Sequence, residues 1–345
     1  VQTCALPIFF TVLYGGKALK VGRVQTPTLA MLVERAGQIS NFQKEKYFNV
    51  ELDCDGIPAV KSKIFDPDEA EQLRSRCQGS EAIVTAVKET EKKVKAPKLY
   101  DLTTLQREAN RIYGMTAKQT LDTAQSLYEK KLITYPRTDS QYLTEDMEQT
   151  ARNVVRQIYE KYQLTGPFDQ PEQPDVKKVM NNSKVTDHHA IIPTMELASC
   201  HLDELKSWEE KILFLIAVHT VMAMSKNHIY QETEIEVECQ GEIFKAKGKN
   251  VLQDGWKVFE NCFKNKDRMA IVDPDQEMKE RMPKVTQGQT FYAVAAEKTE
   301  HFTSPPKPYS EDTLLAAMET AGNKEFDEDT EKKGLGTPAT RAGDR

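Results

Sequence analysis

The nine residues Leu132-Ile133-Thr134-Tyr135-Pro136-Arg137-Thr138-Asp139-Ser140 carry the side chains best suited to chemistry on a phosphate. If Tyr135 lies on an extended strand, Arg137 leaves the same face about 6–7 Å further on, because strand side chains alternate with a period of two. A phenol and a guanidinium so placed can address one phosphate, the first as nucleophile and the second as its electrostatic partner. Pro136 removes a ladder donor, which confines the segment to a sheet edge or bend and leaves the phenol within reach of a ligand. An unperturbed phenol has a pKa of about 10, so attack at neutral pH needs a cation or a base beside it. On spacing alone, a half-buried strand aromatic beside a solvated cation is the plainer alternative.

A second group is Asp187-His188-His189-Ala190-Ile191-Ile192-Pro193-Thr194. A loop histidine there can donate to a phosphate oxygen or shuttle a proton, with Asp187 orienting it. Two adjacent histidines point in different directions, and a surface pair ahead of a strand is the bland alternative. No third ligand stands at metal-binding spacing. In Val21-Gly22-Arg23-Val24-Gln25-Thr26-Pro27-Thr28, Arg23 and Gln25 precede a helix start, where backbone N–H groups favour a phosphate, and Lys17 and Lys20 add charge. Gly334-Leu335-Gly336-Thr337-Pro338-Ala339-Thr340-Arg341 is flexible enough for close approach to a ligand. Gly15-Gly16-Lys17 lacks the upstream Gly and following Ser or Thr of a nucleotide-binding P-loop, so nucleotide hydrolysis is unsupported.

The elements that must position these groups follow from patterning. The chain has 345 residues, 39% hydrophobic and 29% charged, enough for two or three domains. Its net charge of -6 means that any nucleic-acid surface is a local patch. Six scattered cysteines without a C-x-x-C pair read as free thiols in a reducing compartment, and the apolar run 4–14 is too short to span a membrane. Residues 1–8 and 343–345 look foreign to the rest and are left out of fold reasoning; what remains reads as an internal piece of a longer protein. A helix is expected from about Thr26-Pro27, with Leu29, Leu32, Val33 and Ala36 on one face, then strands at 47–52 and 82–87 around a short surface helix at 67–73. A charged linker at 88–98 leads to two helices broken at Gly114, the second capped by Thr116 and Gln119, and a short β-rich segment at 132–135. Residues 165–187 read as a long surface loop, 208–224 as a buried helix, 233–237 and 291–295 as returning strands, and the chain from Ser310 as helix.

Taken in order, the four motifs around Arg23, Tyr135, His189 and Thr337 resemble the type IA DNA topoisomerases, and within them the topoisomerase III group. The resemblance runs from about Leu13 to Ala342. It implies an α+β multidomain fold: a toroidal core in which a winged-helix-like helical domain is inserted in a β-rich arch. The expected segments are 9–46 (helical base), 47–96 (arch, first part), 97–226 (winged-helix-like, bearing the active-site Tyr), 227–300 (arch, second part) and 301–345 (helical base, second part). It further implies that Tyr135 is the nucleophile of an ATP-independent breakage and rejoining of single-stranded DNA, retaining the 5′ phosphate. Arg137 and His189 then assist at the scissile phosphate, and Gln125 and Glu129 line the site. Arg23, Gln25, Thr26, Thr134, Asp139 and Thr337 fall where the motifs meet DNA. Mg2+ is the implied cofactor, its acidic ligands belonging to a Toprim segment expected ahead of Arg23. The expected location is cytoplasmic. The alternative reading is a non-catalytic winged-helix module that binds single-stranded DNA and stacks Tyr135 on a base.

Overall fold

The computed structural model describes residues 22, 24–164, 174–260, 283–321 and 335. Two separate hydrophobic cores organise them. The first lies against an antiparallel seven-stranded sheet made from β1 (Lys46–Cys54), β2 (Ile57–Ile64), β3 (Ala82–Val94), β4 (His228–Cys239), β5 (Glu242–Gln253), β6 (Thr290–Phe291) and β7 (Ala295–Phe302), in the order β6-β3-β4-β5-β2-β1-β7. Strands from two distant stretches of chain thus share one sheet. On β1, Phe48, Val50, Leu52 and Cys54 alternate inward, and a helix at Pro67–Cys77 buries Ala70, Leu73 and Cys77 against them. Asp66 starts that helix by accepting from the Asp68 and Glu69 amides, and Pro67 occupies its first turn.

The expected linker at 88–98 is corrected here: residues 88–94 continue β3, paired with β4 from Lys88↔Glu234 to Val94↔His228. Its charges suit a strand, because Lys92 meets Glu232 of β4 at 3.7 Å; β4 and β5 are bridged in the same way by Lys245–Glu236 at 2.9 Å. The expected strand at 291–295 is likewise two strands, ending at Phe291 and resuming at Ala295 around Ala293, whose φ is 54°. Numbering helices along the chain, α1 is Gln25–Ser40 and α2 is Pro67–Cys77. No residue of α1 is buried, so the apolar face expected of Leu29, Leu32 and Val33 lies open.

The second core belongs to α3 (Leu102–Tyr113), α4 (Ala117–Glu129), α5 (Glu148–Tyr162) and α6 (Ser207–Ala223). Helix α3 ends at Gly114, which takes φ 68° and donates its N–H back into the last turn. Thr116 and Gln119 then cap α4 reciprocally, as their spacing suggested. Helix α6 is buried almost all round, in keeping with its uniform apolarity, although Trp208 at its start is exposed. Within the stretch expected to be a long surface loop, residues 165–173 lie outside the described ones. The remainder forms turns at Val176–Val179 and Asn182–Lys184, with Val176 and Val179 buried. Helix α7 (Glu311–Thr320) docks on α3 through Arg107, which meets Asp312 at 2.8 Å and Glu319 at 3.1 Å.

No regular strand forms at 132–140. An isolated antiparallel bridge joins Ile133 to Pro193 instead. Thr134 completes the tie: its N–H donates to the Ile192 carbonyl at 3.0 Å, its hydroxyl donates to the Ala190 carbonyl at 2.9 Å, and that hydroxyl accepts from the Ile192 amide at 3.0 Å. The four described cysteines, Cys54, Cys77, Cys200 and Cys239, are free thiols. Burial, then the nearby Asp53, push Cys54 up to about 12, so it stays protonated.

Two outcomes follow from this geometry. At Gly255 (φ 55°) an added Cβ would lie 2.2 Å from the Asn227 carbonyl oxygen, whereas at Gly114 nothing comes within 4 Å. Gly114→Ala should therefore cost about 1–2 kcal/mol, the left-handed backbone term alone, and Gly255→Ala should lower the urea unfolding midpoint clearly further. Thr134→Val, which leaves the buried Ile192 N–H without an acceptor, should cost about 1–3 kcal/mol and speed hydrogen exchange at that amide.

Candidate active site around Tyr135

Tyr135 follows the end of α4 by a tight turn: Lys131 takes φ 62° and the Leu132 N–H donates to the Leu127 carbonyl at 2.9 Å. The chain is then pinned twice to the 188–194 loop, by Thr134 as above and by the Thr138 hydroxyl, which donates to the His188 carbonyl at 3.0 Å. Between these pins Tyr135 is half-buried and Arg137 exposed. Because this backbone bends, the period-two argument for one shared strand face does not hold here. Tyr135 lies one residue from the Thr134 pin and Arg137 one residue from the Thr138 pin, so both leave a short stretch of chain fixed at its two ends.

The Tyr135 ring is bracketed by two others. The His188 ring lies with its centroid 4.3 Å away, tilted 44°, and Tyr128 from the last turn of α4 meets it edge-on at 5.4 Å. Neither the Tyr135 hydroxyl nor Arg137 has a hydrogen-bond or ion-pair partner among the described residues. A phenol held by its ring, its oxygen without a partner among the described residues and an exposed cation two positions along the chain, is a poor way to build a core and a workable way to present a nucleophile.

The residues expected at the site divide on inspection. His189 is turned to backbone, its Nδ1 2.9 Å from the Ala190 carbonyl oxygen, and His188 supplies the imidazole against Tyr135. The family resemblance implied His189 for this role; neighbouring identical residues offer no periodic signal to separate them. Tyr128, on the last turn of α4, is 39% exposed and touches Tyr135. Gln125 and Glu129 sit one turn apart on α4, the Gln125 amide donating to the Glu129 carboxylate at 3.2 Å. Asp139 is exposed, whereas the Thr134 hydroxyl is engaged with the 190–192 backbone. Gln25 and Thr26 lie in the first turn of α1, where the Thr26 hydroxyl accepts from the Gly22 amide at 3.0 Å. The contacts of α1 run through Arg35, which donates to the Lys307 carbonyl at 2.8 Å and stacks on Tyr309. Arg23 and Thr337 lie outside the described residues.

Among the described residues no group of three or more His, Cys, Asp or Glu side chains stands ready to hold a metal ion, so they do not fit a Mg2+ site. Also among them, no helix is long and apolar enough to cross a membrane. A separate cleft of about 350 Å³ opens beside α3, lined by Tyr100, Arg107, Glu108, His219 and Asp312. Tyr135 is not among its lining residues, and within it Arg107 is paired with Asp312 and Glu108 with Arg111.

Residues 6–343 match the protein family described as DNA topoisomerase. A DNA topoisomerase 3 from Bacillus licheniformis is 37% identical over 94% of this chain and 46% of the relative, and one from Bacillus subtilis is 37% identical with the same coverage. The structure of full-length topoisomerase I from Thermotoga maritima aligns with 95% of this chain and 50% of its own, at 26% identity and a TM-score of 0.66. The chain thus spans about half the length of the curated relatives it matches. Its mixed α+β fold, with the antiparallel sheet beside a helical unit, corresponds to part of that larger architecture. With the family match covering nearly every residue, this chain belongs to the type IA DNA topoisomerases.

Proposed function

We propose that this chain supplies the strand-cleaving tyrosine of a DNA topoisomerase that breaks, passes and rejoins single-stranded DNA without ATP. The Tyr135 oxygen attacks a backbone phosphorus; the Tyr135 O–P bond forms, the bond from phosphorus to the 3′ oxygen breaks, and the phenolic proton ends on the departing 3′ hydroxyl. One phosphodiester replaces another, so rejoining is the same step reversed and needs no nucleotide hydrolysis. Arg137 balances charge on the phosphate, and His188 moves the proton or steadies the phenolate. Gln125 and Glu129 line the approach, with Asp139, Gln25, Thr26, Arg23 and Thr337 as further DNA contacts. The helical unit built on α3–α6 acts as the mobile part of a toroidal gate, the sheet as its arch and hinge. A DNA substrate implies a cytoplasmic enzyme. The Mg2+ used by the family is assigned to residues other than those the structure describes.

The single observation carrying this reading is a ring-bracketed phenol whose oxygen has no partner among the described residues, with an exposed Arg137 two positions along the chain. The test is covalent trapping of a labelled single-stranded oligonucleotide by a chimera in which this chain replaces the matching half of the B. licheniformis relative. An adduct is expected for the unaltered chain and none for Tyr135→Phe, with oligonucleotide affinity retained. No adduct in either form would leave a DNA-binding module that stacks Tyr135 on a base. In the same chimera His188→Ala should slow adduct formation by about 100-fold or more, the range of a lost proton-transfer group. His189→Ala should have a far smaller effect, and the opposite ranking would return the role to His189.

A further inference from the structure

One buried charge near Tyr135 has no part in the chemistry above. Glu209, in the first turn of α6, is 3% exposed. Its carboxylate accepts three bonds: from the Ser126 hydroxyl at 2.7 Å, from Lys130 Nζ at 2.6 Å, and from its own helix start, the Lys206 N–H, at 3.0 Å. Burial would push this carboxyl up, but donation from Lys130, Ser126 and the Lys206 amide outweighs it and holds the pKa at about 2. It is therefore ionised throughout the neutral range.

A buried carboxylate is a costly way to pack two helices, and an apolar side chain of similar size would usually do as well. What the carboxylate adds is direction. Ser126 and Lys130 stand four residues apart on one side of the last turn of α4 and its cap, and both bond the same group. Clamping positions i and i+4 to one fixed anion sets how that turn is rotated about the helix axis, which interchangeable apolar contacts define less sharply. The residues between them are Leu127, Tyr128 and Glu129. Tyr128 meets the Tyr135 ring edge-on, and Leu127 accepts the Leu132 N–H that starts the turn toward Tyr135. A rotation of this turn would carry the Tyr128 edge off the Tyr135 ring and shift the anchor of the segment that bears it.

We propose that Glu209 is a positioning residue for the cleavage step: through Ser126 and Lys130 it locks the end of α4 so that Tyr128 and Leu127 hold Tyr135 in its reactive orientation. This rests on Tyr135 being the nucleophile.

The experiment uses the same chimera and measures three quantities for each variant: single-turnover adduct formation, affinity for a single-stranded oligonucleotide, and thermal midpoint. Glu209→Gln keeps the volume but loses the charge; it should slow adduct formation by about tenfold, as a sub-ångström misplacement does, while affinity stays within about twofold. Tyr128→Ala should slow it similarly, and Glu209→Gln with Tyr128→Ala together should be no slower than Tyr128→Ala alone, because both act through one contact. If Glu209→Gln does not fold, Lys130→Met with Ser126→Ala removes the brace from the other side and should give the same split between rate and affinity. Unchanged cleavage in a folded brace variant overturns the proposal. So do additive losses with Tyr128→Ala, or parallel loss of affinity and rate. An adduct that persists in Tyr135→Phe would instead defeat the assignment of the nucleophile.

Discussion

The site depends on a pair of threonine hydroxyls holding an irregular segment of chain against a neighbouring loop. Tyr135 and Arg137 sit in backbone that belongs to no helix or strand, and such backbone would ordinarily be free to move. Thr134 and Thr138 supply the missing ladder, bonding the carbonyls of Ala190 and His188 and the amide of Ile192. Because these bonds are made among buried residues such as Ile133, Ala190, Ile191 and Ile192, water competes for them poorly. They fix both the phenol and the imidazole that covers it with one set of contacts. The irregularity itself has a use, since a side chain on regular sheet would have neighbours on both flanks.

Around that tie the molecule is divided into two cores with different physics. The helical core is built from apolar faces and from α6, buried nearly all round, and it makes a rigid support for α4 and the Tyr135 segment. The sheet is long and narrow, and beyond its apolar part β3, β4 and β5 continue as strands whose outward residues are matched Lys and Glu. Each such exposed pair contributes little to stability. Their effect is on register: on β4 and β5, Glu232, Glu234 and Glu236 face Lys249, Lys247 and Lys245 at every second position, so a slip by one residue separates the pairs. Helix α7 reaches back from beyond the sheet to the helical core by ion pairs around Arg107, and its own Leu315 and Met318 are buried.

Much of this was legible from residue order alone. The Gly114 break, the Thr116–Gln119 cap, the buried helix at 207–223 and the strand at β1 follow from local rules that act over a few residues: φ preference, capping and periodicity. The motifs around Tyr135, His188 and Pro193 were recognisable as chemistry-bearing in the same way. The misreadings share a cause. Residues 88–94 looked like a linker because nothing local shows that β4, some 140 residues later, brings glutamates to face these lysines. The stretch at 132–135 looked like a strand because its composition suits one, and only the pairing partner at 190–194 shows that a single bridge forms.

By itself, then, the amino-acid order determined the local elements, the chemical groups available and the family to which they belong, since these depend on short-range geometry and on residue identity. Only the folded chain decided which groups meet. It turned His188 and not His189 onto Tyr135, set Tyr128 at its edge, and drew Glu209 from another helix to the base of α4. The His188 and Glu209 outcomes depend on contacts between residues about 50 to 80 positions apart, and they are settled only when the distant segments pack together.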